Sequence, residues 1–351
     1  MNEYNEYITP LKNPSAKYGE VPFFWWNGEK LDRERLYKQL KALADNGVAG
    51  VQINYAHQYG GGETDAAYGG HGKTIPGDPY PFSDDWWELF GYAASVCEEL
   101  GMGIGVGDYT IAWIGNGFFT DRVSAAPGMH AQTLTCEHRR IFCMEDIPDP
   151  QTALAVVTYT DTDCTTPRVL YEKGKDLPFP YGCYDAFILR SKTVPQSIDP
   201  LNENCGAMLV DTYFREFERR FPQLKKGTLN YFFQDELMFG APVRTLWRDN
   251  LRQAISAQCG YDPLGFLPHL FYELGPMTAK IRLDLADVKT RLIEENYFRP
   301  IYDFHASRGL IYGCDQSGRG RQPDEFSDYF RTVRWFTAPG NDTPGRAADR
   351  C

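Results

Sequence analysis

The segment Leu229-Asn-Tyr-Phe-Phe-Gln-Asp235-Glu236 runs a short apolar strand straight into two adjacent carboxylates, then into Leu237-Met-Phe-Gly240. Delivering acids at the C-terminal end of a strand is how a parallel α/β barrel assembles a reactive face. The position gains weight because other hydrophobic strands in the chain also finish in polar or aromatic residues.

Read for period, the chain repeats strand then helix. Val21 to Gly28 is a first strand, and Leu31 to Asn46 a helix with Leu36, Leu40, Leu43 and Ala44 on one stripe, ended by Gly47. Val48 to His57 is a second strand. A Gly-rich loop from Gly60 to Gly77 leads through Ser83-Asp84-Asp85, a helix cap, into a helix ending near Leu100. Met102 to Asp108 is the third strand. Between Met129 and Pro195 the alternation gives way to Thr, Val and Pro with short alternating runs, such as Thr152 to Thr160 and Ala186 to Arg190, which reads as a β-rich insertion on a βα loop. Helices follow at Ala207 to Phe221, Val243 to Gln258, Thr278 to Arg308 and Asp324 to Phe336; the carboxylate-bearing strand is the fourth, and Gly309 to Gly318 the fifth.

These strands predict an α/β chain of the (β/α)8 TIM-type barrel class, because polar residues end every strand instead of clustering at one switch point. The expected division is residues 1–128 for the first three strands, 129–195 for the insertion and 196–351 for the remainder. A full barrel takes about 250 residues before insertions. On that count the barrel is expected to be incomplete, short of its later βα units.

Composition excludes several classes. A formal net charge of −11 over 351 residues argues against a phosphate backbone as partner, which needs a basic face. No apolar run reaches the roughly 18 residues of a membrane span. The acidic start Met1-Asn-Glu-Tyr-Asn-Glu6 has no signal-peptide pattern, and nine scattered cysteines without a C-x-x-C pair suit a reducing compartment, so a cytoplasmic location is expected. In Gly101-Met-Gly-Ile-Gly-Val-Gly107 the glycines alternate within a strand instead of opening a helix, which rules against a dinucleotide loop. The six histidines lack metal-type spacing, and His269 and His305 read as helix residues.

Aromatic residues make up 15 % of the chain, many beside Gly, Asn or Asp, which suits either a wet, ring-lined cleft or an aromatic-rich core. Glu236 is the candidate general acid, since a carboxyl crowded by Asp235 holds its proton nearer neutrality; a helix cap or an arginine partner is the structural alternative. Asp315, with Gln316 and Arg319, closes the fifth strand in the same way and suits a hydroxyl contact, a base or a turn. Trp25, Trp26 and Asn27 pair ring faces with an amide, one of the two tryptophans being expected in the core because alternate strand residues face opposite sides. Asn54, His57, Asp108 and Gln234 occupy matching strand ends, and Trp113 and Asn116 follow the third strand.

Pro22-Phe-Phe-Trp-Trp-Asn-Gly28, Gly47-Val-Ala-Gly-Val-Gln-Ile53, Ser197-Ile-Asp-Pro-Leu-Asn202, the Phe-Phe-Gln-Asp-Glu strand end and Trp335-Phe-Thr-Ala-Pro-Gly-Asn-Asp342 together resemble the N-terminal barrel region of α-L-rhamnosidase-like glycoside hydrolases, of the family 106 type. The resemblance implies hydrolysis of a carbohydrate ending in a deoxyhexose such as α-L-rhamnose, with inversion by two carboxylic acids and a calcium ion near the sugar. Glu236 matches the position of one acid. The second is expected beyond Asp342, so this chain is expected to be a truncated form, and no calcium ligand can be carried over. A different exo-glycosidase or uronidase, a non-catalytic carbohydrate-binding barrel and an incomplete fragment are the alternatives that the sequence leaves open.

Overall fold

The structure is a computed structural model. It describes residues 8, 19–26, 28–55, 77–107, 123, 125–176, 178–195, 197–235, 237, 239, 241–315 and 328–340.

Strand β1 (Phe23–Trp26) is followed by helix α1 (Arg33–Asp45), β2 (Gly50–Tyr55), α2 (Asp84–Glu99) and β3 (Gly103–Gly107). The local signals act as their chemistry dictates. The Asp32 carboxylate accepts from the Arg35 amide at 2.8 Å to start α1, and the Ser83 hydroxyl caps α2 with Asp84 and Asp85 in its first turn. Strands β4 (Gln132–Ile141), β5 (Ala153–Tyr159), β6 (Pro167–Glu172) and β7 (Tyr184–Thr193) come next, then helices α3 (Cys205–Leu209) and α4 (Arg215–Arg220) joined by a π-helical turn, Val210–Phe214. Strand β8 (Leu229–Asp235) leads to α5 (Asp249–Cys259), α6 (Met277–Ile293), a second π-helical turn at Glu294–Phe298, α7 (Arg299–Arg308) and β9 (Ile311–Asp315). A short helix, α8 (Tyr329–Thr332), and a 3₁₀ turn precede β10 (Ala338–Pro339).

The fold is mixed α/β, built on a sheet of six parallel strands in the order β1-β2-β3-β8-β9-β10. The five expected strands are all present and adjacent. The sixth, Ala338–Pro339, went unread because two residues ending in proline carry no alternation. The helix expected over Asp324 to Phe336 is, within the described residues, only α8 and the 3₁₀ turn Val333–Trp335. No pairing joins β10 to β1 among the described residues, so closure of this sheet into a barrel is not seen there.

Pleating separates the two faces of this sheet. On one, Trp26 meets Trp86 of α2 at 5.8 Å, Phe232 meets Phe214 at 5.4 Å, and Tyr312 stacks on His305 of α7 at 4.4 Å. This helix-covered face holds the main core. The other face is nearly bare of side chains on β3. A Cβ on Gly103 would stand 2.2 Å from the Tyr231 ring, and one on Gly105 only 1.2 Å from the Tyr231 carbonyl oxygen. Glycine there lets Tyr231 lie flat across β2 and β3, and lets the sheet curl.

The segment between β3 and α3 forms a separate antiparallel sheet, β4-β7-β5-β6. Ile141, Val156, Leu170 and Ile188 make a small core of their own, while Leu134, Val157 and Leu189 join the large one. The Tyr272 hydroxyl donates to the Cys136 carbonyl at 3.1 Å, fastening this sheet to the helical side. No disulfide is formed by the described cysteines. Among the described residues no helix is long and apolar enough to cross a membrane.

Candidate active site

The candidate site lies at the strand ends on the bare face. Register makes Asp235 of β8 and Asp315 of β9 direct neighbours, about one strand spacing, 4.8 Å, apart. Next to β3, β2 presents Gln52 and Asn54, whose register partners on β1 are Phe23 and Trp25. Phe23 and Trp25 are 43 % and 38 % exposed, whereas Gln52 and Asn54 are 4 % and 0 % exposed. A band of aromatic surface thus borders a pair of shielded amides.

Among the described residues three atoms of those amides have no hydrogen-bond partner. Asn54 has neither Oδ1 nor Nδ2 bonded, and Gln52 Nε2 also lacks a partner. Room for them comes from Gly107: a Cβ there would lie 2.2 Å from Asn54 Oδ1 and 3.2 Å from Gln52 Nε2. Orphaned buried polar atoms are uncommon and each carries a desolvation cost, which is the ground on which these two amides are candidates for binding.

The carboxylate strand is gripped from behind by one tyrosine. Tyr297, in the π-helical turn, is bonded by Gln234 Nε2 just before Asp235, and its ring meets Phe239 edge-on at 4.9 Å just after Glu236. Leu237 and Phe239 are both buried. Further support comes from Asp199, buried in the Ser197 to Asn202 stretch, which accepts from Arg248 at 2.6 Å and from the Leu201 amide at 3.0 Å. Burial raises the Asp199 pKa, against the opposing pull of Arg248. The Ile198 amide donates to the Phe239 carbonyl, tying that anchor to the chain beyond Glu236. Nonpolar surroundings push the Tyr231 phenol up as well.

The structure brings together Trp25, Asn54, Asp235 and Asp315 along neighbouring strand ends. It places Trp26 and Gln234 elsewhere, on the helix-covered face. Trp26 is buried against Trp86, and the Gln234 amide lies against Tyr297; neither faces the side on which Asn54 stands, because each is one residue out of phase with it in the pleat. Asn27, His57, Asp108, Trp113, Asn116, Glu236, Gln316 and Arg319 lie outside the described residues. Gln52 was legible but passed over: Val51-Gln52-Ile53-Asn54 alternates apolar and polar with the period of a strand. Tyr297 carried no comparable signal, since its role depends on a π-helical turn. Among the described residues no group of three or more His, Cys, Asp or Glu side chains can hold a metal ion, so the calcium implied by resemblance has no ligands to be assigned there.

No protein-family model matches the chain, and no curated protein matches its sequence. Solved structures do. A rhamnosidase from Novosphingobium sp. PP1Y aligns with a TM-score of 0.62 at 10 % identity, over 93 % of this chain and 48 % of its own. The chain has a glycoside hydrolase-like fold. A β-galactosidase from the Antarctic haloarchaeon Halorubrum lacusprofundi aligns at a TM-score of 0.45 and 13 % identity, over 95 % of this chain and 41 % of its own. This chain spans less than half the length of either enzyme.

Proposed function

We propose that this chain carries the sugar-binding, acid-bearing face of a glycoside hydrolase acting on glycans that end in a deoxyhexose such as α-L-rhamnose. The observation that carries the reading is the register of Asp235 beside Asp315 at neighbouring strand ends, with Glu236 next in the chain, in a fold shared with a solved rhamnosidase. In this reading two acids adjacent in the chain, Asp235 and Glu236, would repel each other when both are charged, which is the physical ground for one of them keeping a proton. In the proposed reaction Glu236 gives that proton to the leaving glycosidic oxygen as the bond to the anomeric carbon breaks. Water attacks that carbon and loses its proton to a second carboxylate, for which Asp315 is the candidate within this chain. Inversion requires the two carboxyls to stand roughly 6.5 to 9.5 Å apart, leaving room for the water. Trp25 supports the sugar by stacking on its C–H face, and Asn54 by bonding a hydroxyl.

The test is hydrolysis of an aryl α-L-rhamnoside and of rhamnose-containing oligosaccharides by wild type and Glu236→Gln. The expected loss is about 10²- to 10⁴-fold, the usual worth of general acid catalysis. Turnover unchanged in Glu236→Gln removes that residue from the mechanism. Saturable binding of the oligosaccharides without any turnover by wild type replaces the hydrolase with a carbohydrate-binding barrel.

A further inference from the structure

We propose that Gln52 and Asn54 form a subsite that reads adjacent hydroxyl groups of the sugar whose C–H face stacks on Trp25. The inference deepens the function proposed above and rests on it.

Three amide atoms, Gln52 Nε2 and Asn54 Nδ2 and Oδ1, have no hydrogen-bond partner among the described residues and are shielded from solvent on alternate positions of one strand. Both amides reach the space that a side chain at position 107 would fill. Together these atoms offer two NH₂ groups as donors and one carbonyl oxygen as acceptor, and no charge. A hydroxyl both donates and accepts, so two neighbouring hydroxyls can engage all three atoms, whereas an anion would meet the Asn54 acceptor and a cation the donors. The surroundings agree with a sugar ring. Trp25 and Phe23 are the register partners of Asn54 and Gln52, and both aromatic side chains keep exposed surface. Shielding from bulk water makes such amides costly when unbonded and strengthens the bonds they form when filled. Purely structural amides would be expected to bond each other or the backbone, as Asn202 does with the Gly128 carbonyl at 2.8 Å.

The experiment is calorimetric titration with L-rhamnose and its 2-, 3- and 4-deoxy analogues, using wild type, Gln52→Met and Asn54→Leu, with urea unfolding of each protein. Expected for the variants are affinities for L-rhamnose about tenfold weaker or worse, and stability equal to or above that of wild type. At least one deoxy analogue should bind wild type as weakly as L-rhamnose binds the variants, and lose little more in them. Variants that bind L-rhamnose like wild type overturn the subsite and leave the proposed function standing. Equal losses for every analogue also overturn it, since the amides would then not be reading hydroxyls. If a variant fails to fold, the analogue series on wild type alone decides: equal affinity for all three deoxy sugars and L-rhamnose overturns the subsite. Folded wild type that binds no L-rhamnose overturns the subsite together with the rhamnose reading.

Discussion

Phe23 on β1 and Phe233 on β8 meet edge to face, ring centroids 5.4 Å apart, although β2 and β3 lie between their strands in the sheet. Strands are spaced about 4.8 Å apart, so residues three strands away on a flat sheet would be roughly 14 Å from one another. The contact therefore requires the sheet to curl toward its bare face, and the glycines of β3 supply the clearance. Curvature of this kind draws side chains of distant strands toward one another on that face.

The first prediction follows from Gly105. A methyl group there would overlap the Tyr231 carbonyl oxygen, which is backbone and cannot rotate away. Gly105→Ala should cost more than about 3 kcal/mol, beyond ordinary overpacking, and should be read by urea denaturation or by loss of soluble protein. Stability near that of wild type would mean that β3 and β8 are not so closely opposed.

His305 predicts an acid-sensitive core. Its ring lies between Tyr312 and Phe214, Nδ1 donates to the Ile301 carbonyl at 2.8 Å, and Nε2 has no partner among the described residues. Burial, helped by Arg308, lowers its pKa to about 4. The folded state thus resists a proton that the unfolded chain accepts near pH 6.5, and stability contributed by neutral His305 is lost as pH falls from there toward about 4. Roughly 2 kcal/mol should be gone by pH 5. His305→Phe should remove that part of the slope in urea titrations at pH 5 and pH 7; an unchanged slope would show that His305 does not govern it.

Glu294 predicts a third effect, on the strand that completes the described sheet. Its buried carboxylate accepts from Arg331 Nε at 2.6 Å, Arg334 at 2.7 Å and Trp335 Nε1 at 2.9 Å, and so pins α8 and the 3₁₀ turn that lead into β10. Arg331 also bonds Asp287 and both arginines keep solvent contact, so the loss on Glu294→Leu is moderated. It should be about 2 kcal/mol. Hydrogen exchange should speed up in residues 329–339 before the rest of the sheet; uniform exchange across the sheet would argue against a local clamp.

The parallel strands were legible because each couples an apolar run to a polar end, and the helix caps because Asp32 and Ser83 carry their own acceptors. Expectations limited to one residue fared differently. Alternation along β1 already puts one of the two tryptophans in the core, and the pleat turns Trp26 toward the helices. Gln234 carried no such warning, yet its phase on β8 turns it the same way. Tyr297, Glu294 and β10 could not be read, because a π-helical turn, a three-donor clamp and a two-residue strand all arise from tertiary contacts with no local period.

The two adjacent tryptophans give the sharpest separation of binding from stability. Trp26 is buried and touches Phe24 and Trp86, so Trp26→Ala should cost about 3 to 5 kcal/mol as a large core cavity opens. Trp25 keeps over a third of its surface exposed beside Asn54, so Trp25→Ala should cost little stability. Its loss should instead appear in affinity for rhamnose-containing oligosaccharides, about tenfold for one stacking ring. Acrylamide quenching provides the independent check. Removing Trp25 by Trp25→Phe should delete a readily quenched component, and saturating oligosaccharide should protect the same component in wild type. Quenching that the sugar leaves unchanged, in protein shown to bind it, would place the sugar away from Trp25.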